Sequence, residues 1–201
     1  MLLASLNKKK PDDVPIPVEY ILNINGLEYA SWVLREIPGY DREYRIFACC
    51  CVKTALSLFG SSIQGYDQLQ SAIVTARRMA EGLATDEEIK KAKESVLRTG
   101  RPIQVQNTAE KVDCTSMALS AMVKCVYYVL DDNAWDAVDK VLKSATWVSW
   151  FSAPRKSPTD TEEAEMAITR TSLAYQLEFR RMCRREAKYA PIVVENELPV
   201  Y

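Results

Sequence analysis

The 201-residue chain has no histidine. That single absence removes Ser-His-Asp and Cys-His pairs, the H-E-x-x-H zinc site and any imidazole general base. Glycine is scarce, at six residues, and the nine prolines sit near the ends of the chain or between periodic segments, so long uninterrupted stretches suit helices. No apolar run approaches the roughly 18 residues that a membrane span needs. The richest, 46–52 and 145–151, are cut by Lys, Arg, Asp or Pro well short of it. There is no excess of one charge either. Residues 1–100 carry 13 basic and 13 acidic side chains and residues 101–201 carry 13 and 14, so no global field recruits nucleic acid or an anionic membrane. At the N-terminus Met1, Leu2 and Leu3 precede Lys8, Lys9 and Lys10, the reverse of a secretory signal, and a cytoplasmic location is expected. What is present, 48% apolar and 26% charged residues, is ordinary globular composition with enough chain for one domain with a core.

Six cysteines, Cys49, Cys50, Cys51, Cys114, Cys125 and Cys183, read better as free thiols than as disulfides in a cytoplasmic chain of this length. Three consecutive cysteines on a helix point about 100° apart and cannot share one metal ion, so small apolar packing is the expected role. Arg45 and Lys53 lie one turn either side of Cys49, which leaves a cation-activated thiol as the alternative. No cofactor and no metal site is expected.

The periodicity is helical throughout. Leu27, Ala30, Val33, Leu34 and Ile37 mark a short amphipathic helix ended by Pro38-Gly39. Asp41 opens a second that reaches Phe59 and is apolar nearly all round, from Ile46 to Leu58, as a central helix must be. Residues 66–81 and a helix opened by the capping box Thr85 and Glu88 form a hairpin around Gly82. Gly100 and Pro102 are expected to break the chain, and Asn107 with Glu110 to open a second central helix through Met117, Ala118, Ala121, Met122, Cys125, Val126 and Val129. Asp131 or Asp132 then starts a helix to about Phe151, and Ser157-Pro158 a last one toward Tyr189. The expected fold is all-α: a single-domain multi-helix bundle over 1–201 with two buried central helices, an irregular N-terminal arm over 1–24 and a short extended C-terminal tail over 190–201.

Four features bear on chemistry. GSSIQGYD at 60–67 has the glycine spacing of a phosphate loop, but Tyr66 and Asp67 stand where Lys and Ser/Thr would hold phosphate and magnesium, so it reads as a turn. Asp132, Asp136 and Asp139 share a helical face and suit either a divalent cation or the positive end of the helix dipole. Trp147, Trp150 and Phe151 exceed what a helix with Val138, Val141, Leu142 and Ala145 needs for its core. They either pack under the loop to Pro154 or anchor a partner. Arg180, Arg181, Arg184, Arg185 and Lys188 form a basic stripe on a helix that begins with Asp160, Glu162, Glu163 and Glu165. That gradient suits the macrodipole, and the stripe equally suits an anionic partner.

Around residues 45–58 and 67–97, through RIFACCCVKTALSLF and DQLQSAIVTARRMAEGLATDEEIKKAKESV, the chain resembles a family of helical proteins from bacteria and phages, some of them labelled immunity proteins. A weaker echo is YQLEFRR at 175–181. The resemblance covers about a quarter of the chain and brings no catalytic residues with it. With the missing catalytic constellation and the surplus aromatics, it implies an interaction protein that binds and neutralises a macromolecular partner, most simply a protein, and the surplus on the helix makes Trp147, Trp150 and Phe151 its expected anchors. A nucleic-acid-associated protein using the 180–188 stripe is the alternative, and an enzyme built on Cys or Asp the third reading.

Overall fold

A computed structural model describes residues 16–35, 38–59, 63, 65–106 (backbone alone over 101–106), 114–153 and 161–184. They form seven helices, with no strand among the described residues: α1 Val18–Arg35, α2 Asp41–Ser57, α3 Tyr66–Ala80, α4 Asp86–Gln106, α5 Cys114–Tyr128, α6 Ala134–Ser152 and α7 Glu162–Cys183. The protein is an all-α multi-helix bundle. No described helix is long and apolar enough to cross a membrane.

α2 and α5 owe their central place to sequence. α2 buries Ile46, Phe47, Ala48, Cys49, Cys51, Val52, Ala55 and Leu56, and packs against α3, α5, α6 and α7. A helix apolar on every side loses least when other helices surround it. α5 buries Ala118, Met122, Cys125 and Val126 between α4 and α6, although Met117, assigned by periodicity to the same inward set, faces solvent. Phe47 of α2 and Phe179 of α7 are both fully buried and meet edge to face at 5.6 Å between centroids, an arrangement that the ring quadrupoles favour.

The local signals between helices act as their chemistry dictates. Pro38 and Gly39 make the turn before α2, with Gly39 at φ 82°, where a side chain would be strained. Between α3 and α4 the capping box closes in both directions: the Thr85 amide donates to Glu88 at 2.8 Å, and the Glu88 amide to Thr85 Oγ1 at 3.2 Å. Arg78 of α3 adds an ion pair to Glu88 at 2.6 Å and donates to the Leu83 carbonyl at 2.9 Å, locking the hairpin. Before α6 it is Asn133, rather than Asp131 or Asp132, that caps: its side-chain oxygen accepts from the amides of Trp135 and Asp136, both at 3.0 Å.

Three expectations are corrected. α4 runs through Gly100 and Pro102 to Gln106 instead of ending before them. Tertiary packing accounts for the glycine, because a Cβ there would lie 2.9 Å from Val123 Cγ1, so the bare backbone lets α4 approach α5. The N-terminal arm is helical from Val18 onward: the Pro17 carbonyl accepts from Tyr20 at 2.9 Å, and Ile21 and Leu22 enter the core. Gly26, with φ 82° and ψ 179°, interrupts α1 and kinks it. The last helix begins at Glu162 after Thr161, which makes no side-chain capping bond. Ser157, Pro158, Asn107, Glu110 and the 190–201 tail lie outside the described residues.

Polar contacts fasten the periphery. The Trp135 indole N–H of α6 donates to the Ser31 carbonyl of α1 at 3.3 Å, and the Arg35 guanidinium stands 4.4 Å from the Trp135 ring centre. In the α6–α7 contact the buried hydroxyls of Ser149 and Thr171 pair at 2.9 Å.

Candidate partner-binding groove

Trp147 and Phe151 lie one turn apart on α6, and their rings stack at 5.6 Å with 18° between planes. The inward face of α6 is already filled by Val138, Val141, Ala145 and Val148, which leaves Trp147 outside the core with 55% of its surface exposed. Trp150 is half-buried, and the stacked pair is Trp147 with Phe151. Trp147 and Phe151 wall one side of a groove of about 510 Å3 whose other side is α5, through Met117, Ser120, Lys124 and Tyr128. A smaller hollow of about 200 Å3, shared through Ser120, Lys124 and Tyr128, carries the trough on to Leu97 of α4 and Tyr127 of α5. Tyr127 and Tyr128 meet edge to face at 6.0 Å.

Lysines stand beside the aromatic wall, two of them paired with acids. Lys124 is exposed on α5, and Lys143 on α6 extends beside the groove while pairing with Asp139 at 2.8 Å. Lys140 pairs with Asp131 at 2.7 Å and stands 5.7 Å from the Tyr128 ring centre. Sequence reasoning found the aromatics of α6 and missed Met117, Lys124 and Tyr128. Their spacing on α5 reads as part of a helix with one narrow polar stripe, and only the neighbouring α6 turns that stripe into a wall.

The described arginines of the basic stripe each bond a partner within the chain while keeping part of their surface in solvent. Arg180 donates to Asn23 Oδ1 of α1 at 2.9 Å, Arg184 to both carboxylate oxygens of Glu19 at 2.7 and 3.4 Å, and Arg181 to Glu178 at 3.4 Å. The Arg184 hydrogen bond holds the Glu19 carboxyl below its ordinary range, the mark of a formed pair. Arg185 and Lys188 lie outside the described residues.

The other candidates have acquired structural employment. The Arg45 guanidinium donates to the carbonyls of Asp131 and Asp132 in the turn between α5 and α6. The Cys49 thiol is fully buried and pushed up to about 12, burial being the main cause, so it carries almost no thiolate at neutral pH. Cys50 and Cys183 are pushed up to about 12 in the same way, and Cys51 and Cys125 also upward. All six cysteines are free thiols, with Cys114 exposed at the start of α5. A bulky maleimide on the native protein is therefore expected to modify Cys114 rapidly and to leave Cys49, Cys51 and Cys125 untouched until unfolding. Mass spectrometry of the labelled peptides reads this directly, and fast modification at Cys49 would contradict the burial.

Asp132 and Asp139 pair with Lys93 at 3.2 Å and Lys143 at 2.8 Å, and no group of three potential metal ligands occurs among the described residues. Gly65 stands at φ 80° just before α3, and a Cβ on it would fall 2.3 Å from Thr99 Cγ2, so the second glycine of GSSIQGYD serves a turn pressed against α4. Gly60, Ser61, Ser62 and Gln64 lie outside the described residues. Comparison with protein-family models, with curated proteins and with solved structures finds no match to this chain.

Proposed function

We propose that this chain is a helical interaction protein that binds and neutralises a macromolecular partner, as an immunity protein or a phage counter-defence inhibitor does, and that the α4–α5–α6 trough receives that partner. The observation that carries the reading is the exposed Trp147, stacked on the half-buried Phe151 beside an apolar groove. Covering an exposed Trp removes a large apolar area from water, and aromatic anchors in pockets supply most of the energy of protein interfaces. Lys124 and Lys143 at the rim favour a protein segment with apolar side chains and flanking carboxylates. The resemblance at 45–58 and 67–97 supports the same class of function. Nucleic-acid association through the 180–188 stripe has less support, because Arg180 and Arg184 already hold α1.

The test is affinity capture from the native host, followed by titration of the captured protein against Trp147→Ala. Binding is expected to weaken well over tenfold, since anchors of this kind contribute about 2 kcal/mol or more. The melting temperature should barely move, because the ring is outside the core. A variant that binds as tightly as the parent, or one that loses its fold, defeats the proposal.

A further inference from the structure

Among the described residues, α7 presents an exposed apolar stripe along its outward side. Met166, Leu173 and Leu177 are 45%, 55% and 56% exposed. At about 100° per residue, positions i, i+7 and i+11 fall within roughly 20° of one line along the helix, opposite the buried Thr171, Tyr175, Phe179 and Met182. Leucine at two such positions on a helix that already fills its core side is surplus to the fold of a single copy.

The charges flanking the stripe are self-complementary. Glu162, Glu163 and Glu165 occupy the first turn, and Arg180 and Arg181 the last. A second α7 laid antiparallel, about a two-fold axis crossing between residues 171 and 172, brings Met166 opposite the partner's Leu177. The same register sets Glu162 beside the partner's Arg180 on one flank of the stripe and Glu163 beside the partner's Arg181 on the other. Leu173 meets the partner's Arg170, whose aliphatic stem covers it while the guanidinium reaches solvent. A parallel pairing would set acid on acid and base on base. One antiparallel register therefore satisfies the apolar and the ionic positions together, as an isologous interface requires.

We propose that α7 is a self-association surface on which two copies of this chain pack antiparallel as a two-fold dimer. The existing bonds of Arg180 to Asn23 and Arg181 to Glu178 leave donors on both guanidinium groups, each of which carries five. The Arg181 side chain is 42% exposed and open to a second acid. The surface lies on a different helix from the trough, so dimerisation and partner binding are separable.

Sedimentation equilibrium of the full chain, from micromolar to near-millimolar protein, tests this. The expected result is reversible self-association toward twice the 22.8 kDa chain mass. Leu177→Glu sets a carboxylate against the partner's Met166 at both ends and is expected to hold the chain monomeric throughout that range, with unchanged helical circular dichroism because Leu177 is exposed. Glu162→Arg sets cation against cation at both ends and is expected to weaken association several-fold, an effect that added salt diminishes. A chain that stays monomeric overturns the proposal, whether another macromolecule covers the stripe or nothing does. So does a dimer indifferent to Leu177→Glu, which would use another face such as the trough. A dimer that Glu162→Arg leaves unchanged or tightens overturns the antiparallel register.

Discussion

Replacing Phe47 by alanine is expected to cost about 3–5 kcal/mol of stability, the range for removing a fully buried aromatic. Phe47 has no exposed surface and belongs to the one helix in contact with α3, α5, α6 and α7. Its ring is also the partner of Phe179, so truncation removes the transfer energy of the ring, opens a cavity between two long helices and deletes the edge-to-face contact. Against a total stability of about 5–15 kcal/mol, that leaves little margin. Urea denaturation followed by circular dichroism should show a large fall in midpoint with the slope preserved. Phe47→Leu, which keeps most of the volume, should lose clearly less. A loss under about 1 kcal/mol for the alanine variant would mean that the α2–α7 contact is not part of the core.

The second large effect is expected at Arg45. Its guanidinium, almost wholly buried, donates to the carbonyls of Asp131 and Asp132, residues that leave α5 and approach α6. Both carbonyls lie in the turn between α5 and α6, outside any helix, so the buried guanidinium supplies the donors that a helical ladder would otherwise give them. Burial pulls the Arg45 pKa down, opposed by the nearby carboxylates of Asp132 and Asp41, yet guanidinium stays protonated under all ordinary conditions. Arg45→Leu strands both carbonyls and is expected to destabilise by about 2–3 kcal/mol. Arg45→Lys keeps the charge, but one ammonium cannot reproduce the two-pronged fork, so most of that loss should remain. Thermal melts of both variants decide the matter. If lysine restores full stability, charge rather than the fork closes the α5–α6 turn, and if leucine is tolerated the contact contributes nothing.

The residues at these two sites differ in how far sequence reveals them. Phe47 is legible as core from its neighbours, because a helix with Ile46, Ala48, Cys49, Val52 and Ala55 around it has no polar side to turn toward water. Arg45 is legible only as a charge one turn from Cys49, which suggested thiol activation. The structure sends it to a turn 86 and 87 residues further along the chain. The candidate groove divides in the same way. Trp147 and Phe151 stand out as aromatics in excess of the core pattern of α6. Trp150, equally prominent in sequence, is half-buried, and the α5 wall of Met117, Lys124 and Tyr128 had no signal of its own.

Sequence alone determined the helical class, the two central helices, the Thr85–Glu88 cap and the glycine turns at Gly39, Gly65 and Gly82. Each of these depends on interactions within a turn or two of chain, or on the apolar period of one helix, and such information is written locally. The tertiary structure alone decided that α4 continues through Gly100 and Pro102, because the approach of Val123 belongs to another helix. It decided that Arg180 and Arg184 close on Asn23 and Glu19, partners more than 150 residues away whose distance no periodicity encodes. It also decided which surplus hydrophobics face water, since exposure is set by how neighbouring helices are placed and a helix reads only its own period.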